Sequence, residues 1–141
     1  MSDTEPGTWK DTLLGGRPVK VAYRGQTGVD VAAQQGTPVF TPQGGTVVKS
    51  AFDGSLGHTV AIRMTDGAYL VFSHLADRHL KEGDEVDVGT RVGRSGASGA
   101  AAGPRLRVEV RTKASGGDVG NKEMWRFADP IGYLDNHGKD S

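Results

Sequence analysis

Apolar residues recur along this chain in alternation, in short runs broken by glycine, proline and Asp-Gly steps, and almost never with the spacing of a helix. Val60, Ile62 and Met64 form one such run after the turn residues Asp53, Gly54, Ser55, Leu56 and Gly57. Asp66-Gly67 then supplies hairpin chemistry before residues 69–73, whose aromatic and β-branched content predicts a returning strand. His74 continues the parity of Leu70 and Phe72 and so stands at the end of a core-facing row. Earlier in the chain, a turn through Leu13, Gly15, Gly16 and Pro18 leads into a strand at residues 19–23. Residues 38–40 and 45–52 make two more, separated by Pro42-Gln43-Gly44. Two short strands are expected around Val86 and Val92. The last clear run sets Leu106, Val108 and Val110 against Arg105, Arg107, Glu109 and Arg111, and on periodicity alone it is a half-buried strand with a solvated charged face. The pattern predicts an all-β fold, a meander of antiparallel strands whose 22 glycines serve turns and close strand approaches.

The 141 residues suffice for one domain with a real core. The expected division is an N-terminal tail at residues 1–16, the domain at 17–134 and a C-terminal tail at 135–141, with Trp9 pinning a mobile start and the end fraying from Asn136. Residues 113–121, with Gly116, Gly117 and Gly120, are expected to form a flexible loop, and Met124, Trp125, Arg126 and Phe127 to fold back on the sheet. Lys+Arg 17 against Asp+Glu 17 gives a formal net charge of +0, so no global field draws the chain to nucleic acid or anionic lipid. Without cysteine there are neither disulfides nor thiolate metal sites. No apolar run approaches the ~20 residues of a membrane span, and the start lacks the basic and apolar regions of a signal peptide. Neither membrane insertion nor an export address is expected. Ser95 to Gly103 is a tight small-residue loop rather than a phosphate cradle, because no Gly-Lys-Ser/Thr follows it. The short strands near Gly83 and Gly93 look like part of a biotin-carrier barrel, but no Met-Lys-Met tip accompanies them.

The ordered blocks Gly28-Val29-Asp30-Val31, Gly36-Thr37-Pro38-Val39, Gly45-Thr46-Val47-Val48, Ser73-His74-Leu75, Gly83-Asp84-Glu85-Val86, Gly93-Arg94-Ser95-Gly96, the arginine strand and Asp129-Pro130-Ile131-Gly132 complete the reading. Their order and spacing over residues 17–134 resemble the lysostaphin-type zinc endopeptidases, which cut peptide crosslinks in bacterial cell walls. That resemblance implies a single antiparallel sheet or sandwich of the duplicated hybrid motif type, with long glycine-rich loops. It also implies two metal ligands in an upstream His-x-x-x-Asp, a catalytic histidine and a third ligand in a strand His-x-His, and a second catalytic histidine in a His-Leu pair. Asp30 and His74 match these positions. Gln26 stands where the first ligand would be, Arg105 where the catalytic histidine of the strand would be, and Arg107 where the last ligand would be.

Arginine carries no acceptor, and a glutamine amide oxygen is a poor zinc donor. A catalytic zinc site takes three protein ligands and a water, so the expectation is that zinc is lost, with no cofactor in its place. Gln26, Asp30 and Arg107 are then vestigial metal positions, and His74 and Arg105 vestigial catalytic ones. The leading reading is a catalytically inactive, peptidase-like domain with a structural or binding role, in a protein assembly such as a phage tail or on a cell-wall peptide or glycan. Its alternative is a peptidoglycan-degrading enzyme with a rearranged shell of Asp30, His74 and Glu109, which the neighbouring arginines oppose by repelling a divalent cation. In the binding version, Arg105 and Arg107 grip a carboxylate or phosphate. A nucleic-acid role is not expected, because the chain has no net positive charge and no aromatic stacking row. Arg107 is expected to fill the metal position and pair with Asp30. His58 is expected to serve as a hydrogen-bonding residue, and His79 and His137 to be exposed without a functional role.

Overall fold

The structure is a computed structural model and describes residues 8–99, 103–113 and 125–137. The expected loop at 113–121 therefore lies almost wholly outside the described residues, as does Met124. Two helices bracket the strands: α1 (Trp9–Leu13) and α2 (Pro130–His137). Between them run β1 (Val21–Arg24), β2 (Val29–Val31), β3 (Pro38–Phe40), β4 (Gly45–Asp53), β5 (Gly57–Met64), β6 (Tyr69–Arg78), β7 (Glu85–Val86), β8 (Arg91–Ser95), β9 (Leu106–Lys113) and β10 (Trp125–Ala128). The expected all-β antiparallel architecture is what the chain adopts. These strands form one sheet in the order β1-β2-β9-β6-β5-β4-β7, with β10 added to β9 and β8 carrying β3 against β6. Among the described residues no helix is long and apolar enough to cross a membrane.

One face of the sheet is the main core. Val60 pairs with Phe72, Phe72 with Val108, and Val108 with Val29, so a row of apolar side chains crosses four strands. All four are at most 1% exposed. The helices close this core, because Trp9, Leu13, Leu14 and Leu134 are buried within it. Trp9 also donates its indole N–H to Asp135 Oδ1 at 2.7 Å, tying the two ends of the chain together. The stretch at residues 9–13, read from the sequence as tail running into a turn, is thus a helix that contributes to the core.

The other face departs from the sequence reading in a way that matters for function. The charged side of β9 is not solvated: Glu109 and Arg111 are fully buried beside a second apolar cluster of Ala61 and Val71, flanked by Val48, Tyr69 and Phe127. Alternation reports which residues share a face, but not what covers that face.

Strand β6 changes partners along its length. Residues 69–73 pair with β9, whereas Leu75, Asp77 and Arg78 pair with β8. His74 sits at the switch with φ 61, a left-handed conformation that interrupts the parity expected from Leu70 and Phe72. Its backbone N–H leaves the ladder and donates to Leu56 O at 2.7 Å.

Candidate functional site

Antiparallel register assembles the site across four strands. Tyr23 opposes Asp30, Asp30 opposes Arg107, and Arg107 opposes Ser73. Directly opposed residues project from the same face, so this row lies beside Glu109 and away from the main core. Gly28 lets β2 approach β9 closely: a Cβ there would stand 2.6 Å from the Val108 carbonyl oxygen and 2.7 Å from Glu109 Cγ.

The row is held by a ladder of charges. Asp30 Oδ2 accepts from Arg105 Nη1 at 2.8 Å and its Oδ1 from Arg107 Nη1 at 3.1 Å. Arg107 Nε donates to Glu109 Oε2 at 2.9 Å, and Arg111 Nε donates to Glu109 Oε1 at 2.8 Å. Arg107 Nη2 donates to Thr27 Oγ1, so all three of its nitrogens are engaged. The Arg111 guanidinium also lies 5.3 Å from the centroid of the Phe127 ring, a cation–π contact. Burial by itself would lower the Arg107 pKa. Hydrogen bonds and charge from Glu109, then Asp30, more than reverse that and raise it above the ordinary arginine value.

The expected pairing of Arg107 with Asp30 is present, and Arg105 joins it. Arg107 is the more deeply placed of the two, with 15% of its side chain exposed against 30% for Arg105 and 7% for Asp30. Gln26 is exposed in the loop between β1 and β2, where it lines an open pocket of about 460 Å3 together with Tyr23, Thr27 and Arg107. His74 is buried, and its Nδ1 lies 2.7 Å from Ser98 O. A carbonyl can only accept, so Nδ1 carries a proton and donates it there. Glu109, the extra ligand of the rearranged-shell reading, has both oxygens taken by arginines. His58 accepts from Arg78 Nε at 3.2 Å, in keeping with the expected hydrogen-bonding role, and His79 is exposed. The side chain of His137 lies outside the described residues.

A zinc ion does not fit this donor set. Both oxygens of the matching carboxylate receive guanidinium N–H groups, and those groups offer no lone pair to a metal. Sequence reasoning did not anticipate the buried Glu109–Arg111 pair or the roles of Thr27 and Tyr23. The shared parity of residues 105, 107, 109 and 111 was the available signal for the first. Ser73 carries a further feature with no sequence signature: its Oγ is buried opposite Arg107 and, among the described residues, finds no hydrogen-bond partner.

Comparison with known proteins adds four findings. The model of Peptidase family M23 matches residues 24–119. An uncharacterized metalloprotease of Haemophilus influenzae is 39% identical over 93 residues, covering 65% of this chain and 20% of that protein. The peptidoglycan DD-endopeptidase ShyC of Vibrio cholerae is 33% identical over 92 residues, covering 65% of this chain and 21% of that protein. The chain therefore spans about a fifth of the length of these curated relatives. Among solved structures, the catalytic domain of the antimicrobial peptidase lysostaphin from Staphylococcus simulans aligns with a TM-score of 0.72 at 23% identity, over 82% of this chain and 92% of that one. That likeness is one of fold.

Proposed function

Because this chain belongs to peptidase family M23, we propose that it is a non-hydrolytic member, one that keeps the peptidase domain as a binding or structural module for bacterial cell-wall peptides. The family consists of peptidases, and relatives of this chain act on peptidoglycan. The observation that carries the proposal is the double occupation of Asp30 by Arg105 and Arg107. A hydrolytic site needs a lone pair aimed at zinc from each ligand position and a water activated by that metal. Here Gln26 offers only a poorly donating amide oxygen and Arg107 no lone pair at all, and Arg107 brings a fixed positive charge to the place a divalent cation would take.

A rearranged metal shell gains no support from Glu109. Freeing that carboxylate would break contacts to two arginines, Arg107 and the fully buried Arg111. The test is direct. Purified protein, supplied with excess zinc and then dialysed, is expected to retain well under one zinc per chain and to release no soluble fragments from peptidoglycan. Stoichiometric zinc with chelator-sensitive release of fragments would overturn the proposal.

A further inference from the structure

The strand order leaves β4 with an unpaired edge. Strand β7 meets it only at Gly45 and Thr46, after which the Val47 N–H donates to Asp84 O and Val47 O accepts from the Gly83 N–H. From Lys49 to Asp53 β4 pairs with β5 in regular register, and among the described residues no strand lies on its other side. Two contacts fix which backbone groups face that open side. Val47, opposite Ile62, turns its groups away from β5, and the His58 N–H, opposite Phe52, leaves the ladder for Ser98 Oγ at 3.0 Å. Alternation along an antiparallel pair then aims the N–H and C=O groups of both Ser50 and Phe52 outward.

Open strand edges are templates for another strand, and native chains blunt them with bulges and charges. The bulge in β4 falls between Val47 and Lys49, before the open stretch, and Lys49 itself is held by Asp53 at 2.9 Å. Phe52 stands on the same stretch with 56% of its surface exposed, its ring meeting that of His58 edge-on at 5.1 Å. The order Lys49-Ser50-Ala51-Phe52-Asp53 is self-complementary. Turned antiparallel on itself about Ala51, it sets Lys49 opposite Asp53, Ser50 opposite Phe52 and its smallest side chain on the axis.

We propose that this edge of β4 pairs with a second copy of the chain, the two β4 strands running antiparallel across a two-fold axis at Ala51. Ser50 and Phe52 of each copy exchange N–H···O bonds with Phe52 and Ser50 of the other, which satisfies the outward backbone groups. The two Phe52 rings become diagonal neighbours on one face, a separation of ~7–8 Å that aromatic side chains span, and cover each other. On the opposite face each Lys49 meets Asp53 of the other copy. An edge this short buries little area, so the association is weak and depends on concentration. Strands β5 and β6 stand between β4 and β9, so the dimer leaves the Asp30 ladder uncovered. The inference is independent of whether the chain hydrolyses anything.

The experiment is sedimentation equilibrium of the full chain over a range of concentrations in low salt, together with two charge variants. The parent is expected to approach twice the chain mass at high concentration. Lys49→Glu sets like charges opposite each other twice per dimer, as does Asp53→Lys, and each alone is expected to self-associate about tenfold more weakly. Mixed one to one, the two variants are expected to recover the parental affinity, because each altered charge then faces its opposite on the other copy. A role for Lys49 and Asp53 confined to one chain gives no such rescue, since each variant keeps its own broken bridge. A parent that stays monomeric at every concentration, or a mixture no tighter than its components, overturns the proposal. Where a charge variant fails to fold, Ala51→Cys decides. On the axis the two sulfurs lie across a non-hydrogen-bonded pair with Cα atoms ~4.5 Å apart, within disulfide range. In this cysteine-free chain, mild oxidation is expected to crosslink Ala51→Cys at least about tenfold faster than Val88→Cys, a position 47% exposed and off this strand. Equal crosslinking rates overturn the pairing.

Discussion

Arg107 holds two buried carboxylates at once, Asp30 and Glu109, with 7% and 0% of their side chains exposed. Arg107→Ala therefore takes one of two guanidinium partners from each carboxylate, leaving Asp30 with Arg105 and Glu109 with Arg111, and is expected to cost about 2–3 kcal/mol in chemical denaturation. The exposed pair of Arg94 and Asp77, 49% and 31% exposed, gives the contrast: Arg94→Ala is expected to leave stability nearly unchanged. Combining Arg107→Leu with Asp30→Asn is expected to be milder than Arg107→Ala alone, because Glu109 still has Arg111 while no charge remains at residue 30. A loss below about 1 kcal/mol for Arg107→Ala would mean that the ladder does not replace the metal energetically. The sequence made this pairing legible, because the substituted positions were read against a known site and a guanidinium is the natural partner for an inherited carboxylate. It left the continuation to Glu109 and Arg111 illegible. Charged alternation on a strand ordinarily means solvent, and only tertiary cover reverses that.

At the level of elements, the ladder depends on how closely β2 can lie against β9, and Gly28 decides this. Because the atom its Cβ would strike at 2.6 Å is a backbone oxygen, no side-chain rotation relieves the contact. Gly28→Ala is expected to destabilise the fold and to perturb the amide resonances of both strands, while Gly54→Ala, which meets nothing within 4 Å, leaves β2 and β9 in place. A Gly28→Ala protein with unaltered β2 and β9 resonances would refute this account. The strands were legible as periodic runs, but the helices were not. At five residues, α1 is too short for its spacing to register, yet it buries Trp9 and Leu13. Leu13→Ala is accordingly expected to cost about 2–5 kcal/mol, a core-sized loss from a segment that reads as tail. For α2 a signal did exist. Asp129 accepts from the backbone N–H groups of Ile131 and Gly132 at 3.2 and 3.3 Å, and Pro130 occupies the first helical position. An aspartate cap followed by proline is a helix start, a signal that Gly132 in the first turn weakens.

The molecule as a whole combines an M23 sheet with a buried salt-bridge ladder centred on Asp30 and Glu109, and its response to acid and to zinc should show both parts. The Lys49 ammonium, which donates to Asp53, holds that carboxyl below its ordinary value despite burial, and at Asp77 the Arg94 contacts outweigh burial to the same effect. Groups whose folded pKa is depressed contribute stability that is present above their unfolded value, near 4, and lost as pH falls through the folded value. Stability should therefore be flat with respect to these groups near neutrality and decline below about pH 4, with Lys49→Met reducing that decline. The zinc response is the sharper test of descent from a metal site. Gln26 and Arg107 line one pocket, so Gln26→His with Arg107→His would put two imidazoles within reach of Asp30. In the absence of metal this variant is expected to be less stable than the parent, because Glu109 and Asp30 both lose a guanidinium. Zinc binding only the folded state then adds RT ln(1 + [L]/Kd), about 2.7 kcal/mol at a hundredfold excess over Kd, so the variant's melting temperature should climb with zinc while the parent's stays fixed. Hydrolysis should further require Arg105→His, since the double variant still has an arginine at the position of the strand's catalytic imidazole. A double variant that folds, yet gains no more stability from zinc than the parent does, would show that Gln26, Asp30 and Arg107 do not occupy a former metal site.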